Sequence, residues 1–254
     1  MQENRLIIRS AGRTHTGKVR KHNEDCIYLD KKNRFFLVAD GVGGKDKGEL
    51  ASLSACNYLY VQFENLLKIL DKNTPSETVN KKIVKIVKDS SKYVKKMVLT
   101  ESSEGMGTTL SGVLFFNNNA WVFNVGDSRC YYSHKDRWQQ ITKDDSLMQS
   151  LLDKGVLKEE QKETFPYKNV ITQALGLTSP ISVQVYHLKI FPKDFFIISS
   201  DGFHGLIPDK KWQKKFSSPL TSASIDRLVE KYVESALRKG GTDNISIIGI
   251  GIRK

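Results

Sequence analysis

Apolar residues along this chain come in two rhythms. Short runs of five or six, at 35–39, 120–125, 195–199 and 245–250, are too brief for most helices and read as strands buried on both faces. Longer stretches repeat their apolar residues every three or four positions. The clearest is 222–239, with Ile225, Leu228, Val229, Tyr232, Val233, Ala236 and Leu237 on one face and Gly240-Gly241 closing it. The same period predicts a helix over 49–70 and another starting at Thr74-Pro75-Ser76-Glu77. On that second helix Val79, Ile83, Ile86, Val87, Tyr93 and Val94 oppose a lysine-rich face; a core-packed helix is the common reading and membrane docking the rarer one. A short helix over 146–154 ends at Gly155.

Further strands are expected at 5–16, 26–29, 34–39, 108–116, 130–133, 183–188 and 194–199, with turns at 30–33, 117–119 and 134–136 and a loop at 101–105. Residues 156–169 are polar, lack a clear period and contain Pro166, and so read as a mobile surface excursion. Strands follow one another through short turns, and helices arrive in pairs between them. That order predicts an α+β fold of antiparallel sheets with helices outside, not a doubly wound parallel sheet. No repeat or Pro- or Ser-rich linker divides the 254 residues, so one domain spanning 1–254 is expected.

Composition changes this picture little. Cys26, Cys56 and Cys130 are odd in number and have no paired spacing, which predicts free thiols in a reducing compartment. The first residues, Met1-Gln2-Glu3-Asn4-Arg5, do not resemble a signal peptide, and no apolar stretch approaches a membrane span, so the cytoplasm is the expected location. The net charge of +12 is spread widely, without zinc-finger spacing or a basic-aromatic RNA-binding signature. It reads as a solvated basic surface, with no nucleic-acid and no membrane partner expected.

The acids carry the chemistry. Phe35 to Ala39 deliver Asp40, followed by Gly41; Phe195 to Ser200 deliver Asp201, followed by Gly202. Asp127 follows Gly126 after another apolar run, and Asp243 sits just before the run at 245–250. Any one Asp-Gly is ordinarily a turn between strands. Four aspartates at strand ends, in a chain whose bases outnumber its acids, predict a converged set of oxygen ligands instead. Grouped carboxylates repel unless a cation neutralises them, and carboxylate, carbonyl and water ligands suit magnesium or manganese. Gly41, with no side chain to shield its carbonyl, can offer that oxygen as well.

The ordered set Arg20-Lys21-His22-Asn23-Glu24-Asp25, Val38-Ala39-Asp40-Gly41-Val42-Gly43-Gly44, Gly48-Glu49-Leu50-Ala51-Ser52, Met106-Gly107-Thr108-Thr109-Leu110, Val125-Gly126-Asp127-Ser128-Arg129, Ser200-Asp201-Gly202 and Gly241-Thr242-Asp243-Asn244 resembles the metal-dependent protein serine/threonine phosphatases of type 2C, in their compact bacterial form. The resemblance runs from about 17 to 250. It implies a four-layer α-β-β-α sandwich and a binuclear manganese or magnesium centre at one end of it. On this resemblance Asp40 bridges the two metals, the Gly41 carbonyl binds the first, and Asp201 and Asp243 bind the second. Glu24 and Asp25 hold metal-bound waters, Arg20 grips the substrate phosphate, and Asp127 with Asp201 matches the place of a weaker third ion. The implied reaction is direct attack by a metal-bridging water on phosphoserine or phosphothreonine in proteins. The implied partners are phosphorylated proteins, such as a cognate serine/threonine kinase or its targets, with a monomer as the default state.

Several residues have plainer readings. Arg20 alone is more often a surface salt-bridge residue. Thr108-Thr109 and Ser128-Arg129 are expected to serve strand packing and turn hydrogen bonds, and Asn244 to fix backbone near Asp243. Val42 stands where animal members of the family carry a histidine suggested as the leaving-group acid, so either a metal-bound water supplies the proton or a nearby histidine does, with His204 and His22 as the candidates. His15 and Gly205 stand where many bacterial members have acids. Residues 143–169 correspond to the family's variable flap and are expected to bias substrate choice. The rival readings are a catalytically weak phosphoprotein-binding module on the same fold and, more remotely, a nucleic-acid binder.

Overall fold

Five consecutive residues, Phe35 to Ala39, are wholly inaccessible to solvent, so the strand they form must be covered on both faces. The computed structural model describes residues 6–30, 32, 34–43, 48–100, 105–213 and 221–254. In chain order its strands are β1 (Ile7–His15), β2 (Asp25–Asp30), β3 (Phe35–Val42), β4 (Gly107–Thr108), β5 (Leu110–Phe116), β6 (Asn119–Val125), β7 (Arg129–His134), β8 (Arg137–Gln140), β9 (Gln184–Lys189), β10 (Phe195–Ser199) and β11 (Ile245–Arg253). Its helices are α1 (Gly48–Ile69), α2 (Ser76–Thr100), α3 (Leu147–Asp153), α4 (Asp201–His204), α5 (Asp209–Gln213) and α6 (Ser222–Arg238).

One sheet runs β1-β11-β10-β7-β8 and the other β2-β3-β5-β6-β9, with β4 paired to β3. Every pairing is antiparallel. Alternation along each strand sends one set of side chains inward and the next outward. The inward set of both sheets (Phe36, Val38, Phe115, Phe196, Ile198, Ile248 and Ile250 among them) forms the core between the sheets. The outward set of β3, β5 and β6 packs under α1 and α2, and that of β10 and β11 packs under α4, α5 and α6. The four-layer α-β-β-α order expected above is the observed one.

Several elements differ from the sequence reading, α5 among them, since no helix was expected at 209–213. β8 is a hairpin partner of β7 whose polar residues are mostly exposed, so no apolar alternation marks it. α4 begins at Asp201 itself, so this acid lies in a helix's first turn as well as just past a strand. The stretch 156–169 contains a 3-10 turn at Glu159–Gln161 and is largely exposed. Of the sequence-stretch assignments, Arg5, Lys31, Asn33, Gly44 and the loop residues 101–104 lie outside the described residues. Among the described residues no helix is long and apolar enough to cross a membrane. The three cysteines are free thiols.

Candidate metal centre

The strands of both sheets end together at one edge of the sandwich. Asp40 is in register with Asp25 across the β2–β3 pair, so one short ladder delivers two carboxylates. Asp201 follows β10, Asp243 precedes β11, and Asp127 occupies the turn from β6 to β7. A cleft of about 290 Å³ opens there, walled by Arg20, Glu24, Asp40, Gly41, Asp127, Asp201 and Asp243, with Asn169 and Ile171 lining it as well. The four sequence-distant aspartates therefore share one wall. A second hollow of about 240 Å³ continues from it past Arg129, Met148, Lys168, His204, Leu206 and Thr242.

Backbone geometry explains how this edge is built. The Thr109 amide and the Thr108 hydroxyl both donate to the Asp40 carbonyl, at 2.9 Å each, and the Thr109 hydroxyl accepts from the Asp40 amide at 3.1 Å. Thr108 and Thr109 thus hold the strand that carries Asp40. Glu24 lies buried beside it: its Oε1 accepts from the Gly48 amide at the start of α1 (2.9 Å), and its carbonyl accepts from the Gly41 amide (3.1 Å) and the Ser52 hydroxyl (2.6 Å). A Cβ on Gly41 would collide with the carbonyl oxygens of Gly48 and Glu24, so glycine there permits the close approach of α1 as well as leaving its carbonyl bare.

Asn244 joins three segments. Its Oδ1 accepts from the Glu24 amide at 2.8 Å, and its Nδ2 donates to the Thr16 and His22 carbonyls at 2.8 and 2.9 Å. This is the fixing role expected for it, extended beyond the neighbourhood of Asp243. Arg20 donates from Nη2 to Asp243 Oδ2 at 2.8 Å, and its side chain is half exposed, so the expected phosphate-binding residue and the expected ligand are neighbours. That contact raises the Arg20 pKa.

The electrostatics fit a cation. Desolvation, then the charges of Asp25 and Asp201, push Asp40 well above the usual carboxylate range. Burial pushes Asp25 up to about 7, partly offset by the Ser246 and Ser200 hydroxyls. Burial and Asp201 push Asp127 up to about 8, and burial and Asp243 push Asp201 up to about 6. Asp25 Oδ2 accepts from Ser200 at 2.8 Å, whereas its buried Oδ1 has no partner. An orphaned carboxylate oxygen among acids whose ionisation is opposed by burial is chemistry that a hard divalent ion would satisfy. Among the described residues, no three His, Cys, Asp or Glu side chains already close on one point as ligands. The acids face a shared cleft instead.

The histidine candidates fare less well. His204 Nδ1 lies 3.1 Å from the Ser199 hydroxyl, and burial together with Arg129 drives its pKa well down, so it is neutral and a poor acid. His22 is exposed and is absent from the cleft wall. His15 caps a turn, its Nδ1 accepting from the Gly17 amide at 2.8 Å.

Sequence reasoning missed the ion pair beside the cleft. Arg129 forks onto Asp144, with Nε to Oδ1 at 2.9 Å and Nη2 to Oδ2 at 2.6 Å, and donates from Nη1 to the Tyr131 hydroxyl at 3.2 Å. The Ser128 hydroxyl meets that of Thr109 at 2.7 Å, which is the turn bonding expected of it. Only the fifteen-residue separation of Arg129 and Asp144 is visible in the chain, and nothing in it marks a pair.

A family model described as "Protein phosphatase 2C" matches residues 11–239. The chain belongs to the protein phosphatase 2C family. Within the family it is 30% identical over 243 residues to the serine/threonine phosphatase stp of Listeria innocua, covering 93% of this chain and 92% of that one. It is 32% identical over 244 residues to the serine/threonine protein phosphatase PstP of Mycobacterium tuberculosis, covering 96% of this chain but 45% of that longer protein. The crystal structure of the M. tuberculosis phosphatase PstP/Ppp superposes with a TM-score of 0.84 at 28% identity, covering 97% of this chain and 99% of that one. The catalytic domain of PstP in complex with two manganese ions superposes at 0.80, also at 28% identity, covering 98% of this chain and 100% of that one.

Proposed function

We propose that this protein phosphatase removes phosphate from serine and threonine in phosphorylated proteins, with manganese or magnesium held at the cleft edge. One observation carries the reading: Asp40, Asp201, Asp243 and Arg20, from four distant parts of the chain, wall one cleft. Two ions would be held by Asp40, the Gly41 carbonyl, Asp201 and Asp243, with Glu24 and Asp25 supporting their waters and Asp127 with Asp201 available to a third. Bound cations supply neutralisation of the phosphoryl charge and a more acidic water for attack at phosphorus.

The chain's own residues do the rest. Arg20 keeps donors free of Asp243 and presents them toward the cleft, where a planar fork can take two phosphate oxygens. Water adds to phosphorus, the serine or threonine oxygen leaves, and solvent protonates it, since burial keeps His204 neutral and His22 is absent from the cleft wall. No side chain is needed as nucleophile; burial pushes the Cys130 thiol up, and Cys56 is buried as well. The second hollow, continuous with the first, accommodates polypeptide beside the phosphorylated residue. A cognate serine/threonine kinase or its targets are fitting partners, and the chain acts as a monomer.

Phosphopeptide hydrolysis with manganese, with magnesium and with chelator tests this, repeated for Asp201→Asn. Turnover should require a divalent ion and fall at least about 100-fold in the variant. Activity that survives both chelation and substitution would overturn the proposal. Phosphopeptide binding without turnover would favour the binding-module alternative.

A further inference from the structure

Asp145 stands next to the Arg129–Asp144 pair, outside the cleft wall, and makes four bonds to three separate segments. Its amide donates to the Gly126 carbonyl at 3.0 Å, and its Oδ2 accepts from the Gly126 amide at 2.9 Å. Its carbonyl accepts from the Thr172 amide at 2.7 Å, and its Oδ1 accepts from Gln184 Nε2 at 3.0 Å. Gly126 is therefore gripped at both its N–H and its C=O by a single residue. It has φ of +99°, a left-handed value, and is followed directly by Asp127. Asn124 Nδ2 adds a third bond, to the Gly126 carbonyl at 3.0 Å.

Thr172 belongs to the returning stem of the excursion that starts at α3. The two stems are bonded to each other as well: the Leu147 amide donates to the Val170 carbonyl at 2.8 Å, and Ser146 bridges Ile171. That returning stem supplies Asn169 and Ile171 to the cleft wall. Asp145 thus ties the Asp127 turn to the returning stem and to Gln184 of β9, whose side chain also bonds the Lys143 backbone.

We propose that Asp145 is a positioning residue: by holding Gly126 from both sides it sets the direction of Asp127 and locks that acid to the excursion walling the cleft. The inference rests on the phosphatase reading for its purpose, since Asp127 matters as a cation ligand only there. Outer partners that orient ligands typically change metal affinity by about 10- to 100-fold when removed.

Calorimetric titration of manganese into the wild-type chain, Asp127→Ala, Asp145→Ala and Asp145→Asn tests the grip directly. Asparagine keeps an oxygen for the Gly126 amide and gives up only the Gln184 contact. The expected result is that Asp145→Ala weakens, by about 10- to 100-fold, the same binding event that Asp127→Ala removes, while Asp145→Asn stays near wild type. A wild-type titration by Asp145→Ala, or an equal loss in both Asp145 variants, would overturn the proposal.

If the alanine variant does not fold, amide hydrogen exchange on the unmutated chain decides. Manganese should slow exchange at the Gly126, Leu147 and Thr172 amides together, and slowing at Gly126 alone would overturn the coupling. A wild-type chain inactive on phosphopeptides would sink the phosphatase reading, yet these binding and exchange results would still judge Asp145.

Discussion

The acids at the cleft are held in a state that opposes their own charge. Asp25, Asp127 and Asp201 sit at about 7, 8 and 6, against roughly 4 for a carboxyl in an unfolded chain. Folded values raised in this way place no burden on the fold below pH about 4, and a burden that grows from there until each folded value is passed, at about 6, 7 and 8. His204 acts in the opposite sense: it is neutral when folded and penalises the fold below about pH 6.5. Three raised carboxyls outweigh one histidine, so the chelated protein should lose melting temperature between pH about 4 and 8. Saturating manganese should flatten that slope, and a slope unchanged by manganese would count against cation binding by these residues. The same carboxyls must release protons when a cation enters, so manganese affinity should rise with pH. Titration heats measured in buffers of differing ionisation enthalpy read the proton count. For Arg20, loss of a charge-assisted fork of about 1.5–3 kcal/mol corresponds to about 10- to 100-fold in kcat/KM. Arg20→Ala should show that loss, and Arg20→Lys should recover little, because an ammonium cannot present two parallel donors.

Asn244 illustrates what an element contributes. Its amide fastens the start of β11 to the segment before β2, and so relates Asp243 to Glu24. Asn244→Ala leaves the Glu24 amide and two carbonyls without that partner, at a cost of about 2–4 kcal/mol, measurable by urea unfolding of the chelated protein. The excursion at 143–169 is predicted to act on choice of substrate. Exchanging it should change preference among phosphopeptides and leave turnover of a small aryl phosphate intact; the reverse would refute that role. The main strands were legible because their apolar runs are short and bounded by turn residues, as at Phe35 to Ala39. β8 was not, since an exposed edge hairpin needs no apolar face, and α4 was hidden because Asp201-Gly202 reads equally well as a turn. The cleft acids were legible from their recurring place at strand ends. Asp145 was not, because its partners are mostly backbone groups, which every residue carries. Arg129 with Asp144 was missed because a pair between the start of β7 and the loop after β8 has no local spacing to announce it.

For the whole molecule, Asp40 rides on one sheet while Asp201 and Asp243 adjoin the other, so the packing between sheets sets the width of the cleft. Phe196 lies at that interface, edge-on to Phe115 at 5.4 Å between ring centres. Phe196→Ala should cost about 3–5 kcal/mol and should weaken manganese binding below the unfolding transition. Unchanged binding in that range would show the cleft to be independent of the core. The antiparallel pairing of β1 with β11 runs from Ile7 opposite Arg253 to His15 opposite Ile245, and its His15 end lies at the cleft. The pair Ile7 and Arg253 therefore marks the opposite pole, a sandwich's length from the chemistry. A fusion partner attached by a tether at either of these positions would trail away from incoming phosphoproteins, altering where the catalyst is delivered without touching how it cuts.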